Sequence, residues 1–131
     1  MIRTFSRLDE ETEACVAAVI DAGVTVHRVI GPGFMEPAYR NAMCLELSAR
    51  GIRFECEKSY VVSYRDRPVA LHRADLVVRD RIIVELKAVK TLEPLHHAQI
   101  LAYLKASKLP VGLLMNFGGA TLKEGLKRFV L

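Results

Sequence analysis

Ile82-Ile83-Val84-Glu85-Leu86-Lys87-Ala88-Val89 is the stretch that decides the fold. A run this apolar, rich in β-branched residues and too short for a typical helix, predicts a central strand buried on both faces. Two charges interrupt it. Glu and Lys seldom sit in a core strand without a partner or a task. Being two apart, Glu85 and Lys87 point to the same face.

The preceding segment, from Val69 to Val78, predicts the antiparallel neighbour, with Arg79-Asp80-Arg81 as the connection. A three-residue loop pairs Val78 with Ile82. Counting back, Asp75 then falls opposite Glu85, and Arg73 opposite Lys87. A slip of one residue would send Asp75 to the other face, beside Val84 or Leu86. Two carboxylates facing each other across a ladder repel. A divalent cation between them removes that cost, and Mg²⁺ suits a few hard carboxylate oxygens with waters completing its shell. Lys87 would lie beside such an ion, placed to orient or deprotonate a water. The plainer alternative is a salt-bridged patch of Arg73, Asp75, Glu85 and Lys87, and spacing alone favours it.

Outward from this hairpin, turn signals divide the chain. A helix is expected over about residues 11–30, ended by Gly31-Pro32-Gly33, and a second over about 36–50, with Pro37 in its first turn and Gly51 after its end. Residues 54–64 predict a strand, turning at Arg65-Asp66-Arg67-Pro68. Pro94 opens a third helix to about Ser107, Val111 to Phe117 predicts another buried strand, and 126–131 a short last one. The order ααβββαββ predicts an α/β layered domain, a central mixed sheet flanked by helices.

The 131 residues fit one domain, with 1–12 expected to be a loosely ordered N-terminal segment. At 51% hydrophobic and 26% charged, the chain can bury a core and keep a solvated surface. No apolar run is long enough for a membrane span, and the charged segment 1–13 has no apolar signal core, so a cytoplasmic location is expected. Cys15, Cys44 and Cys56 are odd in number and form no CxxC pair, which fits buried small apolar residues in a reducing compartment. The net charge of +4 is compatible with a polyanionic partner. Gly31-Pro32-Gly33 is no phosphate loop, because it lacks the lysine ending and does not follow a strand.

Further motifs stand around the acids. Gly33-Phe34-Met35-Glu36-Pro37-Ala38-Tyr39 fits G-x-x-E-x-x-Y, Asp75 with Glu85-Leu86-Lys87 fits D…ExK, Pro94 to Tyr103 fits P-x-H-x-x-Q-x-x-x-Y, and Leu113-Leu114-Met115-Asn116-Phe117-Gly118 fits LLxNFG. Together these resemble the GxxExxY family of PD-(D/E)XK nuclease-like proteins over about residues 16–131. Lys90 and His97 stand where relatives often carry acids. The resemblance implies a restriction-endonuclease-like PD-(D/E)XK core, with Asp75, Glu85, Glu36 and the Leu86 backbone carbonyl as ligands of Mg²⁺, or of Mn²⁺. It implies Lys87 as the water-activating or phosphate-stabilising lysine, and Gln99, with Tyr103 four residues on, bordering the site on one helix face. Glu36 on its own residues is equally a first-turn carboxylate favoured by the helix dipole. His27 is expected to satisfy carbonyls at its helix end, and His96 to be a hydrogen-bonded rim residue.

The implied activity is metal-dependent hydrolysis of phosphodiester bonds in nucleic acid, DNA by superfamily analogy, with a homodimer or partner protein extending a small groove. The rival functions are a non-catalytic nucleic-acid-binding module and a protein-interaction domain on the same fold. Salt-dependent retention on nucleic acid separates the last from the other two.

Overall fold

The computed structural model describes residues 8–131. Helix α1 spans Glu10–Ile30 and α2 spans Glu36–Ala49. Strands β1 (Phe54–Tyr64), β2 (Arg67–Val78) and β3 (Ile82–Lys87) follow, then helix α3 (Pro94–Ser107), strand β4 (Val111–Asn116), a 3-10 turn at Lys123–Gly125 and strand β5 (Leu126–Val130). The five strands form one sheet in the order β1-β2-β3-β4-β5. Only β3 and β4 run parallel, as a crossover through α3 requires; the other neighbours are antiparallel. The mixed sheet with helices in the order ααβββαββ is the α/β architecture expected from the sequence.

Strand parity assigns the two faces. Ile82, Val84 and Leu86 of β3 share one core with α1 and α2, through Val16, Val19, Tyr39, Met43 and Leu47. Ile83 faces the other way, packing with Val77, Ala74 and Leu104 of α3. All six residues of β4 are buried, as expected for a strand covered on both sides.

α1 starts within a residue of the expected position. The Asp9 carboxylate accepts the Thr12 N–H at 2.7 Å and caps the helix. The segment 1–12, expected to be loose, is therefore helical from Glu10 onward; residues 1–7 lie outside the described residues. The β1–β2 turn is also tighter. Arg65 and Asp66 both have positive φ, 47° and 65°, which suits the right-handed twist of a two-residue hairpin. Arg67 and Pro68, expected in the turn, instead pair with Tyr64 and Ser63 across a register shift. Proline is tolerated there because the opposite edge of β2 has no strand to bond.

The cysteines depart from expectation as well. Cys15 is buried, but Cys44 is half-buried and Cys56 exposed. Cys56 lies on β1 opposite Leu76, at the outer edge of the sheet, where α2 gives only partial cover.

The turn between α1 and α2 is locked by one side chain. Tyr39 is buried; its hydroxyl donates to the Gly31 carbonyl at 2.7 Å and accepts the Phe34 N–H at 3.2 Å. Gly31 and Gly33 have φ of 70° and 110°, conformations that a β-carbon would strain. Tyr39→Phe keeps the ring and orphans the carbonyl and the amide. It should lower unfolding free energy by about 1–2 kcal/mol in urea titrations; an unchanged midpoint would show that the lock carries no weight.

Candidate active site

The β2–β3 ladder pairs Val78 with Ile82, Val77 with Ile83 and Leu76 with Val84. This is the register expected from a three-residue loop, and it puts Asp75 opposite Glu85. There the ladder stops. The next N–H of β3 facing β2 belongs to Leu86, and it donates to the Asp75 carboxylate Oδ2 at 2.8 Å. A side chain has taken the place of a strand partner, and β2 parts from β3.

The parting has a second sign. His72, Ala74 and Val77 all face the α3 side, so the alternation of β2 shifts by one residue between Ala74 and Val77. Across from Asp75, Glu57 of β1 has φ 54° and drops out of the β1–β2 ladder. A kink in both strands at one level resembles a bulge, a device that re-aims side chains. Asp75 is thereby turned toward the backbone of β3.

Glu85 and Lys87 project on the α3 face, by parity with Ile83. Glu85 is buried at 7% exposure. Its Oε1 shares a 3.2 Å hydrogen bond with Nε2 of His72, and the His72 ring lies flat against Tyr103 of α3, within 11° of parallel. Burial, and then the Asp75 charge, push the Glu85 carboxyl up to about 8, against a smaller opposing pull from Lys87. Burial also lowers the His72 pKa, with Lys87 adding to the effect and Asp75 opposing it. Both shifts favour the neutral forms, which weakens the ionic part of the His72–Glu85 contact and leaves its hydrogen bond. The Tyr103 hydroxyl is raised by burial, and by Glu85 and Asp75.

The backbone contributes as well. The Lys87 carbonyl accepts the Phe117 N–H at 2.8 Å, so it faces β4. The carbonyl of Leu86, one residue earlier, faces the β2 side, where the ladder has ended. Asn116, 4% exposed, closes the far end of the two central strands. Its amide accepts N–H bonds from Val89 and Gly118, both at 3.0 Å, and donates to the Val89 carbonyl at 2.9 Å. A β-carbon on Gly118 would run into that same Val89 carbonyl.

The expected site residues divide as follows. Asp75, Glu85, Lys87 and the Leu86 backbone meet at the opening between β2 and β3. Gln99 is half-buried, one helical turn before Tyr103, on the stripe of α3 that meets His72. It makes no hydrogen bond to the acids. Glu36, expected as a third metal ligand, is not brought to them. It is half-buried at the first position of α2, and α2 packs on the opposite face of the sheet from Glu85. Among the described residues, no three His, Cys, Asp or Glu are gathered closely enough to hold a metal ion. The four-charge patch does not form either: Arg73 is turned to Glu57 at 4.0 Å, and Lys87 makes no ion pair among the described residues. His96 is the rim histidine expected, its Nδ1 accepting the Glu93 N–H at 3.0 Å. His27 bonds the Gly119 carbonyl at 2.9 Å, not its own helix end, and stacks on Phe117.

His72 was invisible in the sequence, and Asn116 stood within the LLxNFG motif without a role assigned to it. Alternation from Asp75 puts His72 on the wrong face, and only the kink corrects it. Asn116 looks like one polar residue ending an apolar strand.

Residues 13–129 match the family described as the PD-(D/E)XK nuclease superfamily. The chain belongs to that superfamily. Comparison with curated proteins and with solved structures returned no match. Superfamily membership accounts for a D…ExK set at a fork between two strands, and the donors there fit a divalent cation: two carboxylates and a carbonyl supply hard oxygens. The raised Glu85 carboxyl fits too, because a cation would offset both the burial and the Asp75 charge that disfavour its ionised form. No helix among the described residues is long and apolar enough to cross a membrane.

The Glu85 shift makes stability depend on pH. Unfolded, Glu85 ionises near 4.5; folded, near 8. Between those values the folded state binds the extra proton, so stability falls as pH rises, and levels off above about 8. The depressed His72 works the other way, adding stability as pH rises toward 6.5. With EDTA present, Glu85→Gln should gain on the parent protein from pH 5 to pH 8, by on the order of a few kcal/mol in unfolding free energy from urea titrations. Parallel curves for the two proteins would contradict the burial argument.

Proposed function

We propose that the protein hydrolyses phosphodiester bonds in nucleic acid with the aid of a divalent cation, Mg²⁺ or Mn²⁺. The observation that carries this proposal is the convergence of the Asp75 and Glu85 carboxyl groups, the Leu86 carbonyl and Lys87 on one opening in the sheet. A module that only bound nucleic acid would gain nothing from two acids aimed at a polyanion.

Asp75, Glu85 and the Leu86 carbonyl would hold the ion. When bound, it supplies positive charge that offsets the charge building on the phosphate. Asp75 is already fixed by the Leu86 N–H and cannot swing away without leaving that amide unpaired. His72 and Tyr103 hold Glu85 from the α3 side and keep water off it. Lys87 stands near Glu85, where its ammonium would orient a water or face the phosphate. Gln99 borders the same stripe of α3 and supplies an amide to the substrate.

The β1–β2 arm fits a polyanion beside this opening. Arg73, two residues before Asp75, is 67% exposed, and Arg65, lying over the Tyr64 ring at 5.3 Å, marks the tip of the same arm. DNA is favoured over RNA by superfamily analogy.

The test is cleavage of supercoiled plasmid, linear duplex, single-stranded DNA and RNA with Mg²⁺, Mn²⁺ or EDTA. Cutting should require the metal and fall at least ~100-fold in Lys87→Ala. Folded protein that cuts none of the four substrates, or a Lys87→Ala variant as active as the parent, would overturn the proposal.

A further inference from the structure

The two cysteines nearest the surface touch each other. Cys44, on α2, and Cys56, on β1, have their sulfurs 2.7 Å apart, inside van der Waals contact, although 12 positions separate them in the chain. Beside them Arg40 of α2 and Glu57 of β1 form an ion pair at 3.7 Å. The same two elements are thus joined twice at one level. Two sulfurs already in contact have little distance left to close before they bond, and distance is the usual obstacle to forming a disulfide.

We infer that Cys44 and Cys56 are a redox-active pair that closes to a disulfide on exposure to a peroxide and reopens with a thiol reductant. Cys56 is exposed and meets the oxidant first. Its thiolate attacks the peroxide; a sulfur–oxygen bond forms, the oxygen–oxygen bond breaks, and the departing hydroxide takes a proton to leave as water. The Cys44 sulfur then attacks the Cys56 sulfur. The sulfur–sulfur bond forms, the sulfur–oxygen bond breaks, and hydroxide leaves with the Cys44 proton as a second water. Two thiols and one peroxide give one disulfide and two waters. Cys44 is half-buried behind the exposed Cys56 and is the resolving partner; burial, with the Cys56 contact, also raises its thiol pKa. Cys15 is buried apart from the pair and takes no part.

The bond would tie α2 to the strand whose kink at Glu57 lies opposite Asp75. It stands on the sulfur geometry alone and holds whether or not the site cuts nucleic acid.

The pair separates cleanly in a tryptic digest, with Cys44 in residues 41–50 and Cys56 in residues 54–58. Native protein treated with hydrogen peroxide, then alkylated, should yield these two peptides linked, lighter than their sum by two hydrogens. The link should vanish with dithiothreitol and be absent from Cys44→Ser and from Cys56→Ser. Oxidised parent protein should melt on the order of 5–10 °C above its reduced form, a rise that neither variant shows. Sulfinic acid at Cys56 with no linked peptide, a link to Cys15, or dimers joined through Cys56 would each overturn the inference.

Discussion

The hydrogen bond from the Leu86 N–H to the Asp75 carboxylate is the constraint on which the site depends. A buried strand must satisfy every backbone donor, and β3 would ordinarily do so with the backbone of β2. At Leu86 a side chain does it instead. β2 is released from the ladder without leaving an orphaned amide, and an opening forms inside the sheet. The Leu86 carbonyl is left facing that opening, and Glu85 meets the Asp75 charge across it. His72 and Tyr103 then close the α3 side, and their cover raises the Glu85 carboxyl. One bond thus decides where the strands part, which groups face the gap and how costly their charges are.

The motif residues beyond the acids hold chain ends in place. Tyr39 pins the Gly31–Phe34 turn and so fixes where α2 begins. Its ring stacks on Phe117, which also stacks on His27, joining both helices of one layer to the end of β4. Asn116 and Gly118 draw the chain leaving β3 against the chain leaving β4. Lys87 lies between the fork and this clamp. Loosening the clamp would let the end of β3 fray where its charged residues must be held.

Much of this was legible in the sequence because it rests on period and parity. The apolar run around Glu85 and Lys87 marked the central strand, the odd loop at Arg79–Arg81 set the register, and proline and glycine signals marked the helix ends to within a residue or two. The kink at Asp75 and Glu57 was not legible, since strict alternation is the premise of reading a strand, and here it fails. His72 was lost with it. Glu36 is a related case: motif spacing says which residues recur together, and says nothing about which face of the sheet a helix covers. The cysteines show the same limit, as composition cannot reveal that two residues on an edge strand and its covering helix will touch.

The most direct test of the two-carboxylate fork is Mn²⁺ binding followed by loss of the free-ion electron paramagnetic resonance signal, at fixed pH and without nucleic acid. The parent protein should bind Mn²⁺, Asp75→Asn and Glu85→Gln should lose that binding, and Glu36→Gln should keep it. Undiminished binding in Asp75→Asn, or a loss in Glu36→Gln as deep as in the other two, would contradict the fork as the ion's seat.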